Sequence, residues 1–468
     1  MTISGDALCQ LTATHQARLL RAGKTTAREL TKAYLERIDR LDGHYRSYVT
    51  VMRESALAEA DRADRELAAG LDRGALHGIP VAVKDLLDAA GVPTTAGMAL
   101  RKDHIAQADA TVVARLRAAG AVVLGKLAMT EAATGSYHPS VNAPLNPWNE
   151  GHSSGFSSSG SGVAVAAGLC AAALGTDTCG SIRTPSAFNG VTGLKPTWGR
   201  VSRNGTFPMV EYLDTIGPMT RSAADAAAML AAIAGADRTD PTASTLRVPD
   251  YSSEIGKGVS GLKIGVDWNR IDEDCSPAVA QGLRHTAEML TAKGALMRPV
   301  RIPMADFFKV TPLVTIGMAD AHRETYPARA AEYGQAISYM LGAAAAVDGK
   351  DVAAAINSVS ALKGELAALF GDVDLLLLPA AVEAAAPVGS LERAMVEDPS
   401  AIGRQFGCTI TFNMTESPTI TFPTGFDGGL PIAAQLVGPH FSEDVLLRAA
   451  HAFQSVTDWH LRQPPVRA

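Results

Sequence analysis

Residues 155–185 read GFSSSGSG, then VAVAAGLCAAAL, then GTDTCGSIRTP, so that two turns rich in glycine and small polar residues enclose an apolar run. Flexible linkers share the Ser/Gly composition, but a linker is not expected to carry a compact apolar segment and a dense mixed motif. Glycine-rich turns let successive main-chain N–H groups point at one spot, where they bind an anion or a developing oxyanion. We therefore predict an ordered, backbone-rich site here, with Val163–Leu174 as a helix of small residues.

The segments on either side alternate between strand-like and helix-like patterns. Ile79–Val83 is predicted as a buried strand that ends at Lys84 and Asp85, and Gly120–Leu124 as a second buried strand. Such alternation is typical of an α/β fold with a mainly parallel or mixed sheet. No repeat or Pro/Gly/Ser-rich linker divides the chain, so we expect one domain over residues 1–468. The other predicted elements are a helix from the capping box Thr26–Glu29 to a C-cap at Gly43, helices over Val112–Ala119 and from Ser222 to about Gly235, helix and turn around 342–355, and strands over Lys263–Val266, Asp374–Leu378 and Ile432–Val437.

The composition excludes several classes of function. The 468 residues are 47% hydrophobic and 19% charged, with a net charge of −6 and no basic run, so neither nucleic acid nor an anionic membrane surface is an expected partner. The longest apolar stretch, Gly162–Leu174, is too short to span a bilayer. The first residues show no signal-peptide pattern, and we expect no membrane association.

The five cysteines are widely spaced and odd in number, with no CxxC pair. This pattern favours neither a disulfide framework nor a zinc site, and it suits a reducing cytoplasm. No HExxH motif or other ligand cluster is present, so we expect no metal and no cofactor. The oligomeric state is left open, with a homodimer among the options.

Four segments match, in order, the motifs of one enzyme family. They are Gly78–Asp85 (GIPVAVKD), Gly155–Ser161 (GFSSSGS), Gly175–Arg183 (GTDTCGSIR) and Gly193–Thr197 (GLKPT). On these motifs the chain resembles the amidase-signature family of serine amidohydrolases over essentially its whole length. The resemblance implies the amidase-signature fold, a large twisted mixed β-sheet flanked by α-helices on both faces, with the signature core at about residues 75–220.

The resemblance also assigns roles to individual positions. It places Ser181 at the position of the nucleophile, Lys84 at that of the base, and Ser157 at that of a proton-relay serine, which follows a cis peptide bond in the family. It implies that Asp177 and Arg183 support the loop, and that Ser158 and Ser161 supply further hydrogen bonds. The implied oxyanion hole consists of the main-chain N–H groups of Thr178, Cys179, Gly180 and Ser181.

The chemistry of these residue types is consistent with those roles. A serine hydroxyl is a weak nucleophile and needs a base, and a lysine can serve only when its amine is neutral. Burial lowers the pKa of a lysine, and Lys84 at the end of a buried strand is well placed for that. Ser157 could then pass the proton of Ser181 to Lys84 and later return it to the leaving amine. The predicted reaction is acyl transfer to Ser181 with release of ammonia or an amine, followed by hydrolysis to a carboxylate.

Three residues depart from the family pattern, in which glycine is usual at each. Phe156 precedes the relay serine and could line the acyl pocket, Ser159 follows it closely, and Cys179 lies in the oxyanion turn, where a packing role is favoured over that of a rival nucleophile. None of the three removes a catalytic group. Phe156, Tyr212 and Phe307 are the predicted substrate-binding residues, and further candidates for substrate choice are Met209, Phe308, His322 and Glu416.

Three other motifs are interpreted as structural. Gly120–Lys126 resembles a phosphate loop, but its centre is made of strand formers and Leu127 replaces the magnesium-binding hydroxyl. Gly151–Gly155 has the GxSxG pattern but follows a loop instead of a strand, and Ser360–Lys363 has the SxxK pattern without its partner motifs.

Three functions are weighed. The favoured one is a free-standing amidase that cleaves a small linear carboxamide, with urea-like substrates left open. The alternative is the glutaminase subunit of a tRNA-dependent amidotransferase, which copurifying subunits would favour. A catalytically silent binding protein is the third, and the intact Lys84, Ser157 and Ser181 argue against it.

Overall fold

The computed structural model describes residues 4–390, 393, 397 and 399–465. Within this part of the chain the strands join in one eleven-stranded sheet. The strands are β1 Tyr48–Val51, β2 Pro80–Lys84, β3 Val122–Leu127, β4 Ala172–Asp177, β5 Thr192–Lys195, β6 Thr215–Thr220, β7 Lys263–Val266, β8 Leu296–Pro299, β9 Leu375–Pro379, β10 Thr419–Asp427 and β11 Leu430–Val437.

The sheet is mixed, and α-helices flank it on both faces. Its strand order is β1-β3-β2-β4-β6-β5-β10-β11-β9-β7-β8. The helices are α1 Gly5–Cys9, α2 Ala13–Arg21, α3 Ala27–Tyr45, α4 Arg53–Ala68, α5 Thr111–Ala118, α6 Ser159–Ala166, α7 Arg183–Asn189, α8 Ala223–Ile233, α9 Tyr251–Glu254, α10 Trp268–Asp274, α11 Pro277–Ala292, α12 Phe307–Ala321, α13 Gln335–Ala343, α14 Gly349–Leu369, α15 Pro399–Met414 and α16 Glu443–Gln454. This arrangement confirms the α/β architecture expected from the resemblance.

Strand β2 brings the two halves of the signature core together. It pairs in parallel with β3 on one side and with β4 on the other. All five of its residues are buried. Its two valines favour a strand, and proline is tolerated as the first residue of a strand. Because the carboxyl ends of parallel strands meet at one edge of a sheet, Lys84 at the end of β2 lies beside Thr176 and Asp177 at the end of β4.

Most of the local predictions are confirmed, and two are wrong. The capping box of α3 is present, but the helix continues through Gly43 to Tyr45, and the C-cap is Arg46 in the left-handed conformation. The helix predicted over Val163–Leu174 is α6, which ends at Ala166, because Gly168 (φ +71°) turns the chain and Ala172–Leu174 already belong to β4. Small apolar residues suit both a close-packed helix and a fully buried strand, so the sequence pattern did not separate them.

The three motifs interpreted as structural have the expected surroundings. The middle of Gly120–Lys126 is strand β3, which excludes a phosphate loop. Loop and turn, and not a strand, lie directly before Gly151–Gly155. Ser360 is exposed on α14, where its hydroxyl donates to the Ile356 carbonyl, and Lys363 pairs with Glu416 at 2.6 Å.

Of the described helices, α14 is the one with the length and apolar composition that a membrane span requires. It carries Lys350, Lys363 and Glu365 and packs against α12. Length and composition alone do not distinguish such a helix from a helix of a soluble protein, so the absence of a membrane partner stays a prediction.

Candidate active site

Lys84 is the centre of a buried polar cluster. Its amine lies 2.6 Å from the Ser157 hydroxyl, 3.0 Å from the Ser158 hydroxyl and 2.9 Å from the Thr176 hydroxyl. All four side chains are buried. Gly175 makes room for this arrangement, because a Cβ there would lie only 2.8 Å from the Ser158 hydroxyl. The sequence singled out Ser157 and Ser158, whereas Thr176 had no role in the prediction.

The surroundings of Lys84 favour a neutral amine. Burial lowers its pKa from the ordinary value of 10.5 to about 7, although the carboxylates of Asp214 and Asp177 act in the opposite direction. Its three hydrogen-bond partners are uncharged hydroxyls, so no carboxylate contacts the amine directly. At neutral pH a large share of the molecules therefore holds a lysine that can accept a proton.

The residue after Ser157 is joined to Ser181 through the main chain. The peptide bond between Phe156 and Ser157 is cis, and the Ser158 N–H donates to the Ser181 carbonyl at 3.3 Å. Ser181 is partly exposed, whereas Ser157 is buried. The Ser181 hydroxyl has no hydrogen-bond partner among the described residues, so it is free to approach a substrate.

Asp177 holds the turn that carries Ser181. Its carboxylate accepts from the Gly180 N–H at 2.8 Å and the Ile182 N–H at 3.1 Å, and it binds the Arg183 guanidinium through Nε at 3.0 Å and Nη2 at 2.9 Å. Although burial opposes ionisation, Arg183 keeps the pKa of Asp177 well below its usual range. Both side chains are buried, so their interaction supports the loop, as the resemblance implied.

The hydrogen bond from Gly180 to Asp177 changes the expected oxyanion hole. Because the Gly180 N–H is donated to a carboxylate, it is not free to bind an oxyanion in this structure. The N–H groups of Cys179 and Ser181 have no acceptor among the described residues. Thr178 is held from outside the turn, since its hydroxyl donates to the Asp214 carboxylate at 2.5 Å.

The Cys179 thiol is not poised for nucleophilic attack. Burial, with the carboxylates of Asp177 and Asp214, raises its pKa to about 12, so it stays protonated at neutral pH. The side chain packs against the hydrophobic core. These surroundings fit the packing role favoured from the sequence.

Two residues of helix α15 brace the same turn. The Thr409 hydroxyl donates to the Cys179 carbonyl at 2.6 Å. The Asn413 amide donates to the Asp177 carboxylate at 2.8 Å, and its oxygen accepts from Arg183 at 2.5 Å. Sequence reasoning missed both residues, because they lie some 230 positions from the turn and belong to none of the quoted motifs.

A cavity of about 480 Å³ lies beside the signature turns. Phe156, next to the relay serine, and Thr184, one helical turn after Ser181, both line it. The described residues of the cavity wall do not include the three predicted catalytic side chains. Its apolar wall includes Tyr137, Leu145, Phe156, Phe188 and Phe406.

The structure separates the three predicted substrate-binding residues. Phe156 lines the cavity, and Phe307 stacks on Phe406 of the cavity wall with ring centroids 5.6 Å apart. Tyr212 instead borders a separate cleft of about 380 Å³, and its hydroxyl donates to the Leu313 carbonyl. Phe156 is therefore the best placed of the three to contact a substrate.

Two of the further candidates are engaged with other side chains. His322 is buried against Tyr333, and burial lowers its pKa to about 4, so the ring is neutral at pH 7. Glu416 pairs with Lys363. Among the described residues, no group of three or more His, Cys, Asp or Glu side chains could hold a metal ion.

Comparisons with known proteins identify the family. The Amidase family model matches residues 29–447. The chain therefore belongs to the amidase family, whose members carry the amidase signature, and is a hydrolase of carbon–nitrogen bonds.

Individual relatives cover nearly the whole chain. A putative amidase, AmiD, of Mycobacterium tuberculosis is 43% identical over 98% of this chain and 97% of its own length. A glutamyl-tRNA(Gln) amidotransferase subunit of Chromohalobacter salexigens is 39% identical over 97% of this chain and 98% of its own. Among solved structures, 6-aminohexanoate cyclic dimer hydrolase superposes with a TM-score of 0.88 at 27% identity, covering 98% of this chain and 99% of that one.

Proposed function

We propose that this protein cleaves a linear carboxamide with Ser181 as nucleophile, Ser157 as proton relay and Lys84 as base. The observation that carries the proposal is the contact of 2.6 Å between the fully buried Lys84 amine and the Ser157 hydroxyl. Burial that lowers the lysine pKa to about 7 supplies the neutral amine that the chemistry needs.

The proton follows the hydroxyls in this scheme. As the Ser181 oxygen bonds to the amide carbon, its proton passes to Ser157, and Ser157 gives its own proton to Lys84. Breakage of the C–N bond reverses the transfer, so the leaving nitrogen departs as ammonia or an amine. Water then attacks the acyl-enzyme with the same relay, which releases the carboxylate and restores Ser181.

Main-chain donors stabilise the tetrahedral intermediate. The free N–H groups of Cys179 and Ser181, together with that of Thr178, are proposed to bind the oxyanion, and Gly180 acts through its bond to Asp177. Preorganised donors of this kind are worth about 10²–10³ in rate each. The apolar cavity beside Phe156 is proposed to receive the acyl group or the leaving group of the substrate.

The decisive experiment is a panel of amides with detection of released ammonia or amine. Ser181→Ala should lower kcat about 10⁴-fold or more, because the covalent route is lost. Ser360→Ala is the matched control, since Ser360 belongs to the SxxK motif on the exposed α14 and should leave activity unchanged. Activity that survives in Ser181→Ala would show that the nucleophile is misassigned.

A second candidate function has a specific observation in its favour. The 39% identity to a subunit of glutamyl-tRNA(Gln) amidotransferase makes a role as glutaminase within such a complex the alternative. Purification of the tagged protein from its own cells, with glutamine in the amide panel, separates the two. Copurifying subunits and activity confined to glutamine would favour the amidotransferase, whereas activity of the isolated chain on other amides would favour the free-standing amidase.

Cyclic amides belong in the same panel, because a structural neighbour is a cyclic dimer hydrolase. Cleavage of cyclic amides alone would overturn the linear class. We further propose a single amidase domain over residues 1–468, a cytoplasmic location and a small-molecule amide as the partner.

A further inference from the structure

One peptide group of the nucleophile turn is clamped at both ends. The Cys179 carbonyl and the Gly180 N–H belong to the same planar trans peptide and point in opposite directions. The carbonyl accepts from the Thr409 hydroxyl at 2.6 Å, and the N–H donates to the Asp177 carboxylate at 2.8 Å. The orientation of this peptide is therefore set from α15 on one side and from the end of β4 on the other.

The clamp lies between the two free donors of the turn. The N–H of Cys179 precedes the clamped peptide and that of Ser181 follows it. Gly180 has φ +123°, a conformation that favours glycine, and a Cβ there would lie 2.7 Å from the Thr409 hydroxyl. Because the turn packs so tightly on Thr409, this contact restricts ψ of Cys179 and φ of Gly180, two of the torsions that lie between the free N–H groups.

The same helix also reaches the cavity. Gln405 and Phe406, one turn before Thr409, line the 480 Å³ cavity, while Thr409 and Asn413 contact the nucleophile turn. One face of α15 thus joins the wall of the cavity to the turn that carries Ser181.

We propose that Thr409 is a positioning residue for acyl transfer, whose hydroxyl fixes the orientation of the Cys179–Gly180 peptide and so aims the free N–H groups at the oxyanion. This inference rests on the proposed function of Ser181. Thr409 does not contact the reacting atoms, so its effect is expected on the rate of bond formation and not on substrate binding.

The test compares Thr409→Val, which removes the hydroxyl at nearly constant volume, with Thr409→Ser, which keeps it. Thr286→Val on α11 is the matched control. Thr286 is fully buried and donates within its own helix to the Gly282 carbonyl at 2.8 Å. The Thr409 hydroxyl also lies 3.1 Å from a carbonyl of its own helix, that of Phe406, but its single proton has the nearer acceptor in Cys179. Circular dichroism and thermal unfolding of each variant check that it is folded.

The probe is a fluorophosphonate, followed by intact-mass spectrometry. The Ser181 oxygen forms a bond to phosphorus, the P–F bond breaks, fluoride leaves, and the serine proton passes through Ser157 to Lys84. Labelling counts the competent sites, so kcat for the best amide of the panel can be given per labelled site. We expect Thr409→Val to lower both the labelling rate constant and kcat about tenfold with KM within about twofold, and Thr409→Ser and Thr286→Val to match the wild type.

The outcomes separate the two proposals. Wild-type protein that is labelled, with Thr409→Val equally fast, overturns the role of Thr409 and leaves the nucleophile in place. Wild-type protein that is not labelled at Ser181 overturns the proposed function itself. A change in KM alone, or a loss in Thr409→Ser equal to that in Thr409→Val, also contradicts a positioning hydroxyl.

Discussion

Acidification below pH 7 should remove the activity, because it protonates the amine of Lys84. With a pKa of about 7, about half of the Lys84 side chains are neutral at pH 7, about a tenth at pH 6 and about a hundredth at pH 5. The expected limb of kcat/KM therefore falls about tenfold per pH unit and about 100-fold between pH 8 and pH 5. Above pH 8 the same group predicts a plateau.

A second buried lysine complicates the assignment of this limb. Burial, with the nearby Arg183 guanidinium, also lowers the pKa of Lys195 to about 7. The Lys195 amine donates to the Pro196 carbonyl at 3.0 Å and does not hydrogen-bond to either catalytic serine, so its titration should not supply the base. The titrations of the two lysines can be distinguished because different carboxylates act on each one.

Asp214 and Glu443 provide that separation. The carboxylate of Asp214 raises the pKa of Lys84, whereas the carboxylate of Glu443 raises the pKa of Lys195 and not that of Lys84. Asp214→Asn should therefore move the midpoint of the limb to lower pH, since a neighbouring carboxylate favours the charged amine. Glu443→Gln should leave the midpoint unchanged.

The assay is kcat/KM from pH 5 to pH 9 with the best amide of the panel, at constant ionic strength, with circular dichroism at each pH. Asp214 also holds Thr178, so Asp214→Asn is expected to lower the plateau, and the midpoint is the quantity that decides. A profile that stays flat to pH 5 would refute a lysine base. A midpoint that moves with Glu443→Gln but not with Asp214→Asn would assign the limb to Lys195.

Three further predictions concern the pocket, the thiol and the buried ion pair. Phe156→Gly should raise KM for small amides and allow bulkier acyl groups, with about a tenfold change in relative kcat/KM across a graded substrate series; an unchanged ranking would exclude Phe156 from the pocket. Cys179→Ala should retain activity within about threefold, because the thiol is protonated; loss comparable to that of Ser181→Ala would reinstate it as a nucleophile. Arg183→Met should lower the free energy of unfolding by about 3–5 kcal/mol in denaturant titrations, since it leaves the Asp177 carboxylate buried without its cation, and a change below about 1 kcal/mol would contradict this.

The order of motifs was enough to predict the family, and local patterns predicted the α/β class and five of the eleven strands, namely β2, β3, β7, β9 and β11. Periodicity and chain order are local properties, and β2, β7 and α3 form where their own residues favour them. The errors have the same origin. Glycine is a residue type that often ends a helix, yet α3 continues past Gly43. The small residues of 163–174 suit both a helix and the strand that follows it.

The contacts around the nucleophile depend on the folded chain. Thr409, Asn413 and Asp214 reach the turn from segments that are distant in sequence, and each of these residue types is common in ordinary helices and loops. The Asp177 carboxylate accepts the hydrogen bond of the Gly180 N–H, whereas the N–H groups of Cys179 and Ser181 stay free. The motif alone did not indicate this difference among the three donors. Residue types along the chain thus specify which chemistry is available, whereas the direction of each donor and the burial of Lys84 arise only when distant segments pack together and exclude water.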